Sequence, residues 1–282
     1  MAEKGLLIDT SKCTGCRGCQ VSCKQWHSLP AEKTTNTGSY QNPPNLTPNT
    51  WTLVTFNEYA EGGKVDWLFR KSQCMHCTDA ACVKVCPTGA VSRHELGFVN
   101  YDEKKCSGCG YCSEFCPFDV PQIKGDKVSG VGVMQKCLFC ADRVEAGMET
   151  ACAKTCPPGA ITFGDRDKLV AAGRTRVQSL KATSQEANLY GDSILGGTHV
   201  MYVLEHKPEA YGLPGKPEVP LAAALWQDLL QPVGQLAIGA AIVGLALNFA
   251  VAGAKARQRR MEMVAAEEGH GKTGDSAEEG KE

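Results

Sequence analysis

"DTSKCTGCRGCQVSCKQW" spans residues 9–26. Its four cysteines, Cys13, Cys16, Cys19 and Cys23, fall within eleven positions, two residues apart for the first three and three before the fourth. Similar groups follow: Cys74, Cys77, Cys82 and Cys86; Cys106, Cys109, Cys112 and Cys116; Cys137, Cys140, Cys152 and Cys156. Together they use all 16 cysteines of the 282-residue chain. Three groups end in Cys-Pro ("CPTGA", "CPFDV", "CPPGA"), and the first ends in "CKQW".

Three chemistries compete for such groups. Disulfides fit poorly, because closely spaced C-x-x-C runs favour metal binding over orderly cross-links in a chain of this length. Zinc accepts two C-x-x-C pairs. It leaves unexplained a third cysteine two residues on and a fourth after three more. That run, with proline after it, is the bacterial ferredoxin signature for 4Fe–4S cubanes. A C-x-x-C-x-x-C loop curls three thiolates around one cluster. The fourth cysteine, a helical turn further on, points away and ligates the other cluster of a pair. The proline ends the local helix, which is compatible with either role.

Four groups predict an α+β fold: two ferredoxin-like 4Fe–4S pairs with short hairpins and helices, plus one C-terminal transmembrane helix. The four-cluster domain is expected over residues 1–206, with an outer pair of motifs at 5–27 and 130–165 and an inner pair at 66–125. "WTLVTF" (51–56) and "VDWLF" (65–69) alternate like strands around a Gly62-Gly63 turn, and "GFVNYD" (97–102) and "AITF" (160–163) read as further strands. Residues 28–50, rich in Thr, Asn and Pro, read as an inserted loop.

No P-loop, dinucleotide fingerprint or hydrolase elbow occurs. With 30 Lys+Arg against 31 Asp+Glu there is no basic excess to suggest nucleic acid. "MAEKGLLIDTSK" reads without a secretory signal. Each all-cysteine cluster carries about −2 charge when oxidised. Arg17, Lys84 and Lys154 either raise cluster potentials or are ordinary solvated charges. Clusters without substrate machinery make a wire, not a catalyst.

Residues 207–231 are expected to be a proline-rich linker, "KPEAYGLPGKPEVP", and an amphipathic interfacial helix, "LAAALWQDLLQ", with Trp226 as headgroup anchor. A transmembrane helix is expected over 232–255. Its 22 residues from Val233 to Ala254 carry no formal charge and span about 33 Å as a helix. Lys255, Arg257, Arg259 and Arg260 follow at once, against Lys216 before it. The positive-inside rule then sets the C-terminus in the cytoplasm and the cluster domain in the periplasm, on a single-pass chain of a bacterial inner membrane. Ala240 and Gly244 would let another helix approach, and Asn248 either bonds a partner helix or sits near the interface. The span offers no histidine as a haem ligand. The polar tail, 256–282, is expected to be cytoplasmic, and disordered from Met261 onward.

"LIDTSKCTGCRGCQVSCKQW", "WLFRKSQCMHCTDAACVKVCP", "CSGCGYCSEFCPFDVP", "KCLFCADRVEAGMETACAKTCPPGAI" and "GGTHVMYVL" resemble the iron–sulfur (beta) subunits of membrane-bound respiratory formate dehydrogenases. These belong to the four-cluster subunits of molybdopterin oxidoreductases. The resemblance covers about residues 5–255. Nitrate, sulfoxide and polysulfide reductase subunits share the cysteine array, so the array alone specifies only wiring. The resemblance implies a catalytic subunit with a molybdenum or tungsten bis-pterin cofactor, a cytochrome b-type membrane subunit that reduces quinone, and export with a partner bearing a twin-arginine signal. It implies four 4Fe–4S clusters. Cys13, Cys16, Cys19 and Cys156 hold the first, and Cys23, Cys137, Cys140 and Cys152 the second. Cys74, Cys77, Cys82 and Cys116 hold the third, and Cys86, Cys106, Cys109 and Cys112 the fourth. Electrons would enter through the first pair and leave through the second. The competing readings are the same wire on another molybdopterin enzyme or a hydrogenase, and a membrane-anchored zinc protein.

Overall fold

The computed structural model describes residues 2–36, 38–126 and 131–271. They form two compact units, one ending at Trp226 and the other beginning at Gln227. Strand β1 (Lys4–Asp9) leads into the first cysteine group, whose helix α1 (Gly18–Trp26) carries Cys19 and Cys23. A long hairpin of β2 (Leu53–Glu61) and β3 (Lys64–Ser72) runs up to the second group. Helix α2 (Ala81–Lys84) lies within that group and carries Cys82, and a small hairpin, β4 (Val91–Arg93) with β5 (Val99–Tyr101), separates it from the third group and α3 (Tyr111–Glu114). Strands β6 (Gln122–Asp126) and β7 (Val131–Gln135) deliver the chain to the fourth group, on α4 (Ala141–Glu145) and α5 (Ala151–Lys154). There follow β8 (Ile161–Asp165), α6 (Arg166–Leu180), β9 (Asn188–Tyr190), β10 (Val200–Leu204) and α7 (Leu221–Leu225).

The four-stranded sheet has the order β8-β1-β10-β9. Strand β1 runs antiparallel to β8 (Leu6 opposite Phe163) and parallel to β10 (Leu6 opposite Val200). Side chains alternate across it, as the period of two requires. Leu6, Ile8, Val200, Tyr202 and Leu204 enter the large core shared with Phe98, Phe139 and the thiols of Cys19 and Cys152. Leu7, Met201 and Val203 face the other way, onto Leu169, Val177 and Leu180 of α6. Each fully buried side chain of this size contributes about 1.5–3 kcal/mol.

The expected strands are present in β2, β3, β5 and β8, and the turn between β2 and β3 lies at Gly62-Gly63. Residues 207–220 differ from a free linker. Tyr211 and Leu213 are buried, Arg70 Nε donates to the Tyr211 carbonyl at 2.7 Å, and the Tyr190 hydroxyl donates to the Pro214 carbonyl at 2.7 Å. Apolar anchors and specific hydrogen bonds thus override the proline-rich composition. The segment 221–231 also differs from one interfacial helix. Ala223 is fully buried, α7 lies against α2, and the Trp226 ring stands 6.2 Å from Tyr111. Trp226 therefore rests on the cluster unit.

In the second unit, α8 runs Gln231–Gly271. Its segment Gln231–Val264 is long and apolar enough to cross a membrane, and its apolar window is wholly exposed. A wider helical turn, Trp226–Leu230, precedes it, where Pro232 has no N–H to give the carbonyl four residues back. The helix continues past Met261, where disorder was expected. Residues 261–268, "MEMVAAEE", are good helix formers, and Gln258 Nε2 donates to Glu262 Oε1 at 3.2 Å. The rest of the tail, 272–282, lies outside the described residues.

Candidate functional site

The cysteine loops share one backbone device. The residue before the second cysteine is left-handed in every group: Gly15 (φ +67°), His76 (+49°), Gly108 (+72°) and Phe139 (+59°). Arg17, Gly110 and Cys140, which precede α1, α3 and α4, are left-handed as well. Alternating right- and left-handed residues turn successive N–H groups to one side, the concave arrangement that receives phosphates and iron–sulfur clusters. At Gly15 a Cβ would also press on the Phe56 and Phe69 rings.

Side-chain neighbourhoods cross the groups. Cys13 faces Cys16 and Cys156, and Cys19 faces Cys13, Cys156 and Cys152. Cys140 faces Cys152 and Cys23, and Cys137 faces Cys23, Cys140 and Cys74. Cys77 faces Cys74, Cys82 and Cys116. Cys112 faces Cys109, Cys106 and Cys86. Links between these neighbourhoods run through Cys19 to Cys152, Cys137 to Cys74, and Cys82 to Cys112. The result is a line of four neighbourhoods. Cys16 and Cys109 are exposed, one in the first and one in the last; the other fourteen cysteines are buried or half-buried.

The donor set fits 4Fe–4S clusters. Among the described residues no three Cys, His, Asp or Glu side chains converge as a single ion requires, whereas a cubane takes its sulfurs at separated corners. Backbone donors already aim at the thiols, Phe139 N to Cys137 Sγ at 3.4 Å and Met134 N to Cys106 Sγ at 3.4 Å, and the Thr150 hydroxyl lies 3.3 Å from Cys152 Sγ. The Gln73 amide and His76 Nε2, on either side of Cys74, are buried without a hydrogen-bond partner, as donors awaiting a cluster would be. Burial pushes the thiols of Cys19, Cys112 and Cys140 up to about 12 and that of Cys116 up to about 11. These thiols keep their protons until iron displaces them.

The charges singled out in the sequence sit outside this line. Arg17 lies 4.8 Å over the Phe56 ring and donates to the Tyr40 carbonyl, Lys84 pairs with Asp79 at 2.7 Å, and Lys154 pairs with Glu149 at 3.7 Å. Sequence reasoning missed three groups inside it. Lys71 and Lys136 are buried, and His27 Nε2 stands 3.6 Å from Cys140 Sγ. The only sequence signal for the lysines is their nearness to Cys74 and Cys137. Burial lowers the Lys71 pKa, and Cys152, Cys19 and Cys137, once ionised, outweigh it so that the net direction is up. Burial, helped by Lys136, holds His76 well below the usual imidazole range, hence neutral.

The stretch "GGTHVMYVL" has a mechanical role. His199 N donates to the His76 carbonyl at 3.1 Å, Val200 N to Met75 at 3.2 Å, and Thr78 N to Gly197 at 2.9 Å. The start of β10 thereby fixes the loop of the second group. Gly197 (φ +92°) leaves room for Arg166, which reaches the Thr198 and Asp192 carbonyls at 3.0 Å each.

Comparison with known proteins gives the same reading. A 4Fe-4S dicluster domain matches residues 12–90 and another matches residues 65–166. The chain is 44% identical over 251 residues to the formate dehydrogenase iron-sulfur subunit of Haemophilus influenzae, covering 87% of this chain and 78% of that one. It is 41% identical over 253 residues to the nitrate-inducible formate dehydrogenase iron-sulfur subunit of Escherichia coli, covering 88% and 85%. It is 39% identical over 219 residues to formate dehydrogenase 2 subunit beta (cytochrome c-553) of Nitratidesulfovibrio vulgaris, covering 74% and 96%. Four cysteine groups on a shared loop geometry, with formate dehydrogenase iron–sulfur subunits at 41–44% identity along most of its length, mean that this chain belongs to the family of formate dehydrogenase iron–sulfur subunits.

Proposed function

We propose that this chain is the non-catalytic electron-transfer subunit of a formate dehydrogenase complex, between a molybdopterin catalytic subunit (Mo or W) and a membrane cytochrome b-type subunit that serves quinone. Bound here, four 4Fe–4S clusters would supply one-electron uptake and release. Cys13, Cys16, Cys19 and Cys156 hold the first, and Cys23, Cys137, Cys140 and Cys152 the second. Cys74, Cys77, Cys82 and Cys116 hold the third, and Cys86, Cys106, Cys109 and Cys112 the fourth.

The observation that carries this reading is the line of thiol neighbourhoods, exposed at Cys16 and at Cys109. At the Cys109 end, Tyr111 stands beside Trp226, where the chain leaves the cluster unit for its apolar helix. Cys109 thus faces the membrane partner, and Cys16 the catalytic one. Lys255, Arg257, Arg259 and Arg260 keep the far end of the helix cytoplasmic, which puts the cluster unit in the periplasm.

Anaerobic purification in mild detergent tests this. A pterin-bearing chain and a haem-bearing chain should co-purify, with formate:dye activity in the complex and none in the isolated subunit. Iron should reach about sixteen per chain, four for each cubane. A subunit oxidising formate alone, or half that iron at full purity, would sink the proposal.

A further inference from the structure

Two lysines are buried to an extent rare for this residue. Lys71 is 2% exposed and Lys136 1%. Lys136 is satisfied by carbonyls, donating to Val99 at 2.7 Å and Cys137 at 3.0 Å. The Lys71 ammonium has one marginal contact, to Thr52 Oγ1 at 3.5 Å. Among the described residues no carboxylate pairs with it. A buried ammonium this poorly partnered is strongly unfavourable unless a counter-charge stands nearby.

The groups around it supply that counter-charge. Lys71 neighbours Cys23, Cys137, Cys140 and Cys152, the whole of the second ligand set, and Cys19 of the first. A neutral thiol is no counter-ion for an ammonium. Thiolates on an anionic cluster are. Lys136, the other buried lysine, reaches Cys82 of the third set.

We propose that Lys71 is a built-in counter-cation of the cluster held by Cys23, Cys137, Cys140 and Cys152, and that its charge raises the reduction potential of that cluster. The proposal rests on the ligand set given above. Reduction adds one negative charge to the cluster, and a fixed positive charge in a low-dielectric interior favours the reduced form. The transfer it tunes moves one electron from the reduced first cluster to the oxidised second; no bond or proton changes at Lys71. Lys71 acts on the balance of that step and does not hold the cluster.

The test is an anaerobic potentiometric titration of the whole detergent-solubilised complex, followed by electron paramagnetic resonance. Cys140→Ser and Cys23→Ser complexes identify the signal in question. Lys71→Met should lower the reduction equilibrium constant of that signal tenfold or more, about 59 mV for one electron, at full iron content. The other three should move far less, and Lys71→Arg should restore most of the shift. An unmoved signal, or an equal shift in all four, overturns the proposal. If Lys71→Met fails to assemble, wild-type complex carrying 15N-lysine gives a reading without substitution. A nitrogen coupling must appear on the Cys140 signal, and its absence overturns the proposal equally. If Cys140→Ser and Cys23→Ser perturb two different signals, the ligand set is wrong, and Lys71 is judged on the Cys140 signal alone.

Discussion

His76 and Phe139 hold left-handed backbone angles where Gly15 and Gly108 stand in the matched positions, Arg17 holds one where Gly110 stands, and Cys140 is left-handed as well. Each such residue costs about 1–3 kcal/mol and persists because its surroundings over-determine it. For His76 and Phe139 the reason is packing: their rings meet at 5.0 Å, edge to face, and Phe98 stacks on Phe139 at 5.0 Å. For the loop around His76, the hydrogen bonds from the start of β10 add to it. Gly197→Ala should therefore destabilise the protein by about 1–3 kcal/mol, since a Cβ there collides with the Arg166 guanidinium at an unfavourable φ. Thermal unfolding would show the loss, and iron should leave the second group first. Unchanged melting would mean that Arg166 moves aside freely. Cys156→Ser tests the crossing between groups. It should alter the signal tied to Cys13, Cys16 and Cys19; a change confined to the signal tied to Cys137 and Cys140 would undo that assignment. The cysteine groups were legible because ligand spacing is short-range and each loop is closed by its own glycines or strained residues. Lys71 and Lys136 were not, because no local pattern distinguishes a buried lysine from a solvated one.

The hairpin of β2 and β3 announced itself through alternation and its Gly62-Gly63 turn, since one of its faces meets solvent at Val65 and Trp67. Strands β1 and β10 escaped for the opposite reason. They are covered on both faces, so "LLI" and "VMYVL" run without the polar alternation that marks a half-exposed strand. Helix α6 was hidden too, its apolar positions Leu169, Val177 and Leu180 being spread among arginines and small residues. At the junction of β8 and α6, Asp165 pairs with Lys4 at 2.7 Å and Lys168 at 2.8 Å. Lys168 first, and Lys4 with it, pull the Asp165 carboxyl from 3.8 to about 2. A depressed acid contributes stability above its unfolded pKa and loses it as pH falls through the folded one. Asp165→Asn should thus be less stable than the parent near neutral pH. The gap should close as pH drops from 3.8 to about 2. Parallel denaturant titrations at several pH values would check it; a gap independent of pH would show that the ion pairs contribute nothing.

At the scale of the whole molecule, the exposed apolar helix and the basic residues beyond it make the proposed orientation testable. A reporter fused after Glu282 should behave as cytoplasmic in intact cells, and a periplasmic signal there would reverse the orientation proposed for the cluster unit. The sheet carries a consequence in time. Strand β1, Lys4–Asp9, has its partners at Ile161–Asp165 and Val200–Leu204. At ribosomal rates of about 5–20 residues per second, the first strand waits about 10–40 s for the last of them to be made. Throughout that interval the thiols of the opening group stand ahead of any possible closure, open to oxidation. A nascent chain stalled before residue 161 should therefore leave Cys13, Cys16 and Cys19 reactive to alkylating reagents, and protection there would mean that the opening group closes without the last strands. On the periplasmic placement proposed above, such a topology would impose a schedule: birth in a reducing compartment, and passage across the membrane only after the last strand has closed.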